Sequence, residues 1–139
     1  MTATLIAGIA RTTDPRAMLR RFLALDAVVT GVNGIAYLAA AGPLGRLLGV
    51  DESVLLIVGA FIAVYGAAVG LLAARPRPAA LAVKAVVDVN LVYAVLSLFA
   101  LALWLDPTVA GAVWIPLQAA VVAGFALLQF AALGARTRP

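Results

Sequence analysis

Four stretches of this chain, roughly 22–41, 53–74, 84–105 and 109–133, each run for about twenty residues or more with almost no charge. A helix rises about 1.5 Å per residue, so each stretch can cross a hydrocarbon layer about 30 Å thick. The breaks between them carry proline. Gly42-Pro43-Leu44-Gly45 ends the first, Arg75-Pro76-Arg77-Pro78 separates the second and third, and Asp106-Pro107-Thr108 separates the third and fourth. Proline forfeits a helical hydrogen bond and biases its predecessor away from helical dihedrals. The pattern predicts an all-α polytopic membrane protein, four transmembrane helices in an up-down bundle of two hairpins. They form a single domain over 14–135, between a flexible tail at 1–13 and a basic tail at 136–139.

Composition removes the soluble alternative. Of 139 residues, 65% are hydrophobic and only 12% charged, against about 25% charged in a soluble domain. A chain this small buries only about two-thirds of its surface, so a core cannot absorb the surplus. The apolar run Leu5–Ala10 is too short for a secretion signal and no basic residue precedes it, so residues 1–13 read as an uncleaved tail. With no Cys and no His, disulfides, thiol catalysis, the usual zinc sites and haem held by His or Cys are excluded. No cofactor and no metal are expected.

The net charge of +4 points to lipid headgroups rather than nucleic acid, because the basic residues flank the apolar stretches. Nine of the ten fall on one side: Arg11, Arg16, Arg20, Arg21, Arg75, Arg77, Lys84, Arg136 and Arg138. Arg46 stands alone on the other, among Asp51, Glu52 and Asp106. The positive-inside rule then predicts a multi-pass protein of the cytoplasmic membrane with both termini inside. Thr13-Asp14-Pro15 supplies a helix start, Asp14 as N-cap and Pro15 at the first helical position.

Polar residues inside the apolar stretches keep to helical faces. Asp26, Thr30, Asn33 and Tyr37 are spaced 4, 3 and 4; Asn90, Tyr93 and Ser97 are spaced 3 and 4; Gln118 and Gln129 lie about three turns apart. The second stretch has Tyr65 and a small-residue stripe, Gly59, Ala63, Gly66 and Gly70, which permits close backbone approach within the bundle or to another copy. Polar groups avoid lipid, so these faces should point inward. Asp26 lies about one turn inside its stretch, where Arg20, Arg21 or Lys84 could neutralise it. Its functional reading is a protonatable carboxylate facing a cavity, and its structural reading is an ion pair. Shallow depth and ready partners favour the second. Asp88 points away from Asn90 and stands four residues from Lys84, the spacing of a helical ion pair. Trp104 and Trp114 flank a loop as interfacial anchors. Asp26 and Asp88 lie 62 apart, and Arg75 and Arg136 lie 61 apart, a faint sign of duplicated hairpins.

The stretch Asn90-Leu91-Val92-Tyr93-Ala94-Val95-Leu96-Ser97 resembles the Asn-x-x-Trp-x-x-x-Ser stretch of a group of small uncharacterised four-helix bacterial integral membrane proteins, with Tyr93 in place of the Trp. Leu25–Gly31 and Leu117–Val121 resemble that group's first and fourth helices. The resemblance implies four spans in a bacterial inner membrane and carries no activity. Small multidrug exporters place a Glu in the middle of the first helix, and quinone-linked thiol oxidoreductases need cysteines, so neither fits. The expectation is a non-enzymatic structural or interaction subunit, contacting anionic lipid headgroups and a second copy or another membrane protein. The alternative is a minor transporter or channel around Asp26, Asn33, Asn90 and Gln129.

Overall fold

The computed structural model describes residues 14–137, with side chains through residue 135. The tail expected over 1–13 lies outside the described residues, as do 138–139. The described chain is helical, with five helices: α1 (Pro15–Ala39), α2 (Ala41–Leu48), α3 (Glu52–Ala74), α4 (Ala80–Leu103) and α5 (Val109–Thr137). Four of them, α1, α3, α4 and α5, are long and apolar enough to cross a membrane. Only 22–28% of the most apolar window of each is buried inside the molecule. The remaining apolar surface faces outward, as in an integral membrane protein, with Val64, Leu71 and Leu81 each more than 70% exposed.

Local chemistry sets the helix ends. Asp14 caps α1, its carboxylate accepting from the Arg16 amide at 3.1 Å, with Pro15 in the first turn. Residues 41–48, expected as a break, are instead helical. Pro43 falls in the first turn of α2, where its missing N–H costs nothing. Gly49 ends α2 at a φ of +71°, and the amides of Gly49 and Val50 both reach the Gly45 carbonyl. The α4 helix begins just after Pro78, four residues before Lys84. Pro116 lies inside α5, so the Ala112 carbonyl has no helical amide to accept.

Helices α1 and α3 pack extensively and antiparallel, through small residues. A Cβ on Gly34 would stand 2.6 Å from the Ala63 amide nitrogen, and one on Gly66 would stand 2.8 Å from that of Gly31. The stripe on α3 is therefore covered by α1, not held open for another copy. Helix α5 packs on both α1 and α4, whereas α3 and α4 barely touch. The order around the molecule is α3, α1, α5, α4, with a seam between the first and last. An apolar cluster including Leu19, Leu23, Val69, Val83 and Leu133 fills the end that carries Arg16 and Arg77. A second, including Tyr37, Leu48, Leu55, Ile62 and Ile115, fills the end beneath α2. There Thr108 ties the α4–α5 loop to α2, its hydroxyl donating to the Leu47 carbonyl at 2.6 Å and its amide to that of Leu48 at 3.1 Å.

Candidate functional site

Between the two apolar clusters, the polar faces of four helices meet in two hydrogen-bonded groups. The first centres on Asp26, which is fully buried. Its Oδ1 accepts from the Thr30 hydroxyl one turn along α1, at 2.9 Å. Its Oδ2 accepts from the side-chain amides of Asn90 on α4, at 2.9 Å, and Gln129 on α5, at 2.8 Å. Asn90 also donates to Gln129 Oε1 at 3.2 Å, which closes a ring of three residues from three helices. Tyr65 reaches in from α3, and its hydroxyl stands 2.9 Å from Asn90 Oδ1 and 3.1 Å from the Val86 carbonyl. One hydroxyl hydrogen serves both acceptors.

The second group centres on Gln118 of α5. Its Oε1 accepts from Asn33 Nδ2 at 2.9 Å and from the Tyr37 hydroxyl at 3.0 Å, and its Nε2 donates to the Tyr93 hydroxyl at 2.9 Å. Trp114 completes the group: its indole N–H donates to the Tyr37 hydroxyl at 2.7 Å. Trp114 is thus half-buried and hydrogen-bonded to α1, while Trp104 alone of the pair stands exposed, at 72%. Ser97 stands at the edge of the second group: its hydroxyl turns back to the Tyr93 carbonyl of its own helix at 2.7 Å and also partners the Tyr93 hydroxyl.

Asp26 has no cationic partner among the described residues. Helix geometry gives the reason: at about 100° per residue, Arg20 and Arg21 lie roughly 120–140° around α1 from the inward face, and Lys84 lies roughly 120° from Asn90 around α4. Arg20 donates instead to the Ala73 carbonyl at 3.0 Å. Lys84 and Asp88 are both exposed, with no ion pair between them. Two flexible side chains at a surface gain little by pairing. Asp26 and Asp88, the pair that suggested duplication, occupy unlike settings, one enclosed and one exposed.

The arrangement is electrically economical without a counter-charge. Three donors face the two side-chain oxygens of Asp26. Among the described residues no buried side-chain polar atom lacks a partner, and no group of three or more acidic residues gathers to hold a metal. Between the two groups lies a cavity of about 40 Å³, lined by Thr30, Asn33, Tyr65, Asn90, Tyr93 and Gln118 together with apolar side chains.

Sequence reasoning placed Tyr37 on the inward face but missed Trp114. A signal existed: Trp114 stands four residues, about one turn, before Gln118. Comparison with protein-family models, with curated proteins and with solved structures finds no match. The resemblance to small four-helix bacterial membrane proteins rests on the short motifs quoted above.

Proposed function

We propose that this chain is a small multi-pass protein of the bacterial cytoplasmic membrane and serves as a non-enzymatic structural or interaction subunit. One observation carries the reading: the buried polar side chains are spent on one another. A hydrated pathway needs polar groups that remain open to water along its length. Here Asp26, Asn90 and Gln129 close on themselves, and the apolar clusters occupy both ends. In this reading the chain threads the bilayer as two hairpins in an up-down bundle, with both termini cytoplasmic. The basic residues support that orientation. Arg16 and Arg77, which share a shallow groove, would meet anionic headgroups there, at about 1 kcal/mol each near the surface.

The second reading is a minor transporter or channel around Asp26, Asn33, Asn90 and Gln129. The cavity beside Asn33 and Asn90 favours it. A chain without cysteine allows a direct test. Single Cys residues at Val89 and Val122 line that cavity and disturb no side-chain hydrogen bond. Protection of both from a membrane-impermeant thiol reagent supports the structural reading, and rapid labelling of both supports the pathway. Cys at Arg77 and at Asp106, labelled from either face of sealed vesicles, tests orientation. Reaction of Arg77→Cys from the periplasmic face would overturn the proposed topology.

A further inference from the structure

The seam between α3 and α4 is more than a packing gap. A groove of about 450 Å³ runs along it at the α2 end, between Val54 and Val58 on one wall and Leu96 and Ala100 on the other. A second groove, of about 350 Å³, continues toward the basic end past Tyr65. The cavity of about 40 Å³ lies between them, sharing Phe61, Tyr93 and Gln118 with the first groove and Tyr65 with the second. The grooves are walled mainly by apolar side chains, and no charged residue lines the cavity or the larger groove.

The floor of this seam retains hydrogen-bonding capacity. Asn33 donates to Gln118, yet among the described residues its Oδ1 accepts nothing. The Tyr93 hydroxyl accepts from Gln118 and has the Ser97 hydroxyl as its other partner. Both residues line the cavity. The spare acceptor on Asn33 suits a hydroxyl, which can donate to it. Size agrees: a cavity holds a water once it offers roughly 10–15 Å³ to a water-sized probe, so about 40 Å³ admits a hydroxymethyl-sized group but not a phosphate or an aromatic ring. Charge agrees too. The nearest carboxyl group, that of Asp26, has its oxygens occupied by Thr30, Asn90 and Gln129, so a charged head would be buried without a partner.

We propose that this seam binds an uncharged, hydroxyl-bearing lipid, its hydroxyl donating to Asn33 and its chain along the groove between α3 and α4. The proposal rests on the reading of the chain as membrane-spanning.

The test uses the full chain in bilayers and three photoactivatable probes of equal length: a long-chain alcohol, the matching carboxylic acid and the matching alkane. The alcohol should label residues flanking the groove on α3 and α4 about fivefold more than either control, the equivalent of about one hydrogen bond. Asn33→Leu should lower that labelling about fivefold. Ala100→Trp fills the groove without touching a side-chain hydrogen bond and should abolish it. Equal labelling by alcohol and alkane would overturn the proposal. So would undiminished labelling of Ala100→Trp, or label spread evenly over the lipid-facing helices. Alkaline extraction of the same membranes separates the two readings. Release of the chain would overturn both, and retention with unselective labelling would overturn the lipid site alone.

Discussion

Tyr65 of α3 and Asn90 of α4 meet hydroxyl to amide at 2.9 Å, across a flank where the two helices barely touch. Asn90 is the hub of this junction, since it also holds Asp26 and Gln129. Tyr65→Phe should cost about 1 kcal/mol, one hydrogen bond. Asn90→Leu should cost about 2–3 kcal/mol, because it strands a buried carboxylate as well. Reversible unfolding in mixed detergent would measure both. Equal costs would contradict a hub at Asn90.

The α1–α3 contact makes sharp demands on particular glycines. Gly34→Ala places a methyl 2.6 Å from the Ala63 amide nitrogen, and Gly59→Ala places one 2.8 Å from Tyr37 Cβ. Each should destabilise by about 1–3 kcal/mol through overpacking. Nothing lies within 4 Å of a Cβ on Gly124. Gly124→Ala should therefore gain about 0.5–1 kcal/mol from restricted unfolded-state freedom. Thermal denaturation of the three variants reads the contrast, and a loss at Gly124 equal to that at Gly34 would contradict the packing described.

The two tryptophans should report different surroundings. Trp114→Phe leaves the exposed indole of Trp104, and Trp104→Phe leaves the indole bonded to Tyr37. Brominated lipid should quench the first variant more strongly than the second. Equal quenching would count against the Trp114–Tyr37 bond.

Thr108 should act locally. Thr108→Val removes the hydroxyl bond to Leu47 and the one the hydroxyl accepts from the Gly111 amide, at about 1 kcal/mol each. Hydrogen exchange should accelerate at Gly49 and Val50, whose amides close α2, while the amides around Asp26 keep their protection. Acceleration spread through α1 would mean that the tie supports the whole bundle.

Much of this molecule is legible in its sequence because two periods are strong. Twenty-residue apolar runs mark the four long helices, and the 4, 3, 4 spacing of Asp26, Thr30, Asn33 and Tyr37 marks the face that α1 turns inward. Periodicity assigns faces but not neighbours. The spacing could not show that Asn90 and Gln129 would satisfy Asp26 in place of Arg20, Arg21 or Lys84. That choice depends on α5 lying between α1 and α4. Helix α2 was hidden for a different reason. The Gly-Pro-Leu-Gly chemistry that stops a helix is also tolerated in a first turn. The stripe on α3 announced a close approach, and only the packing of Gly34 and Gly66 identifies α1 as the helix that makes it.

The ring around Asp26 also sets a schedule. Its amide donors stand 64 and 103 residues further along the chain. At roughly 5–20 residues per second of synthesis, the carboxylate waits several seconds for Asn90 and longer for Gln129. Through that interval the first hairpin holds an acid supported by Thr30 alone. The last helix made is the one that completes its shell, so a chain stalled before Gln129 carries an exposed defect that a finished one does not. Quality control in the membrane could read that difference directly.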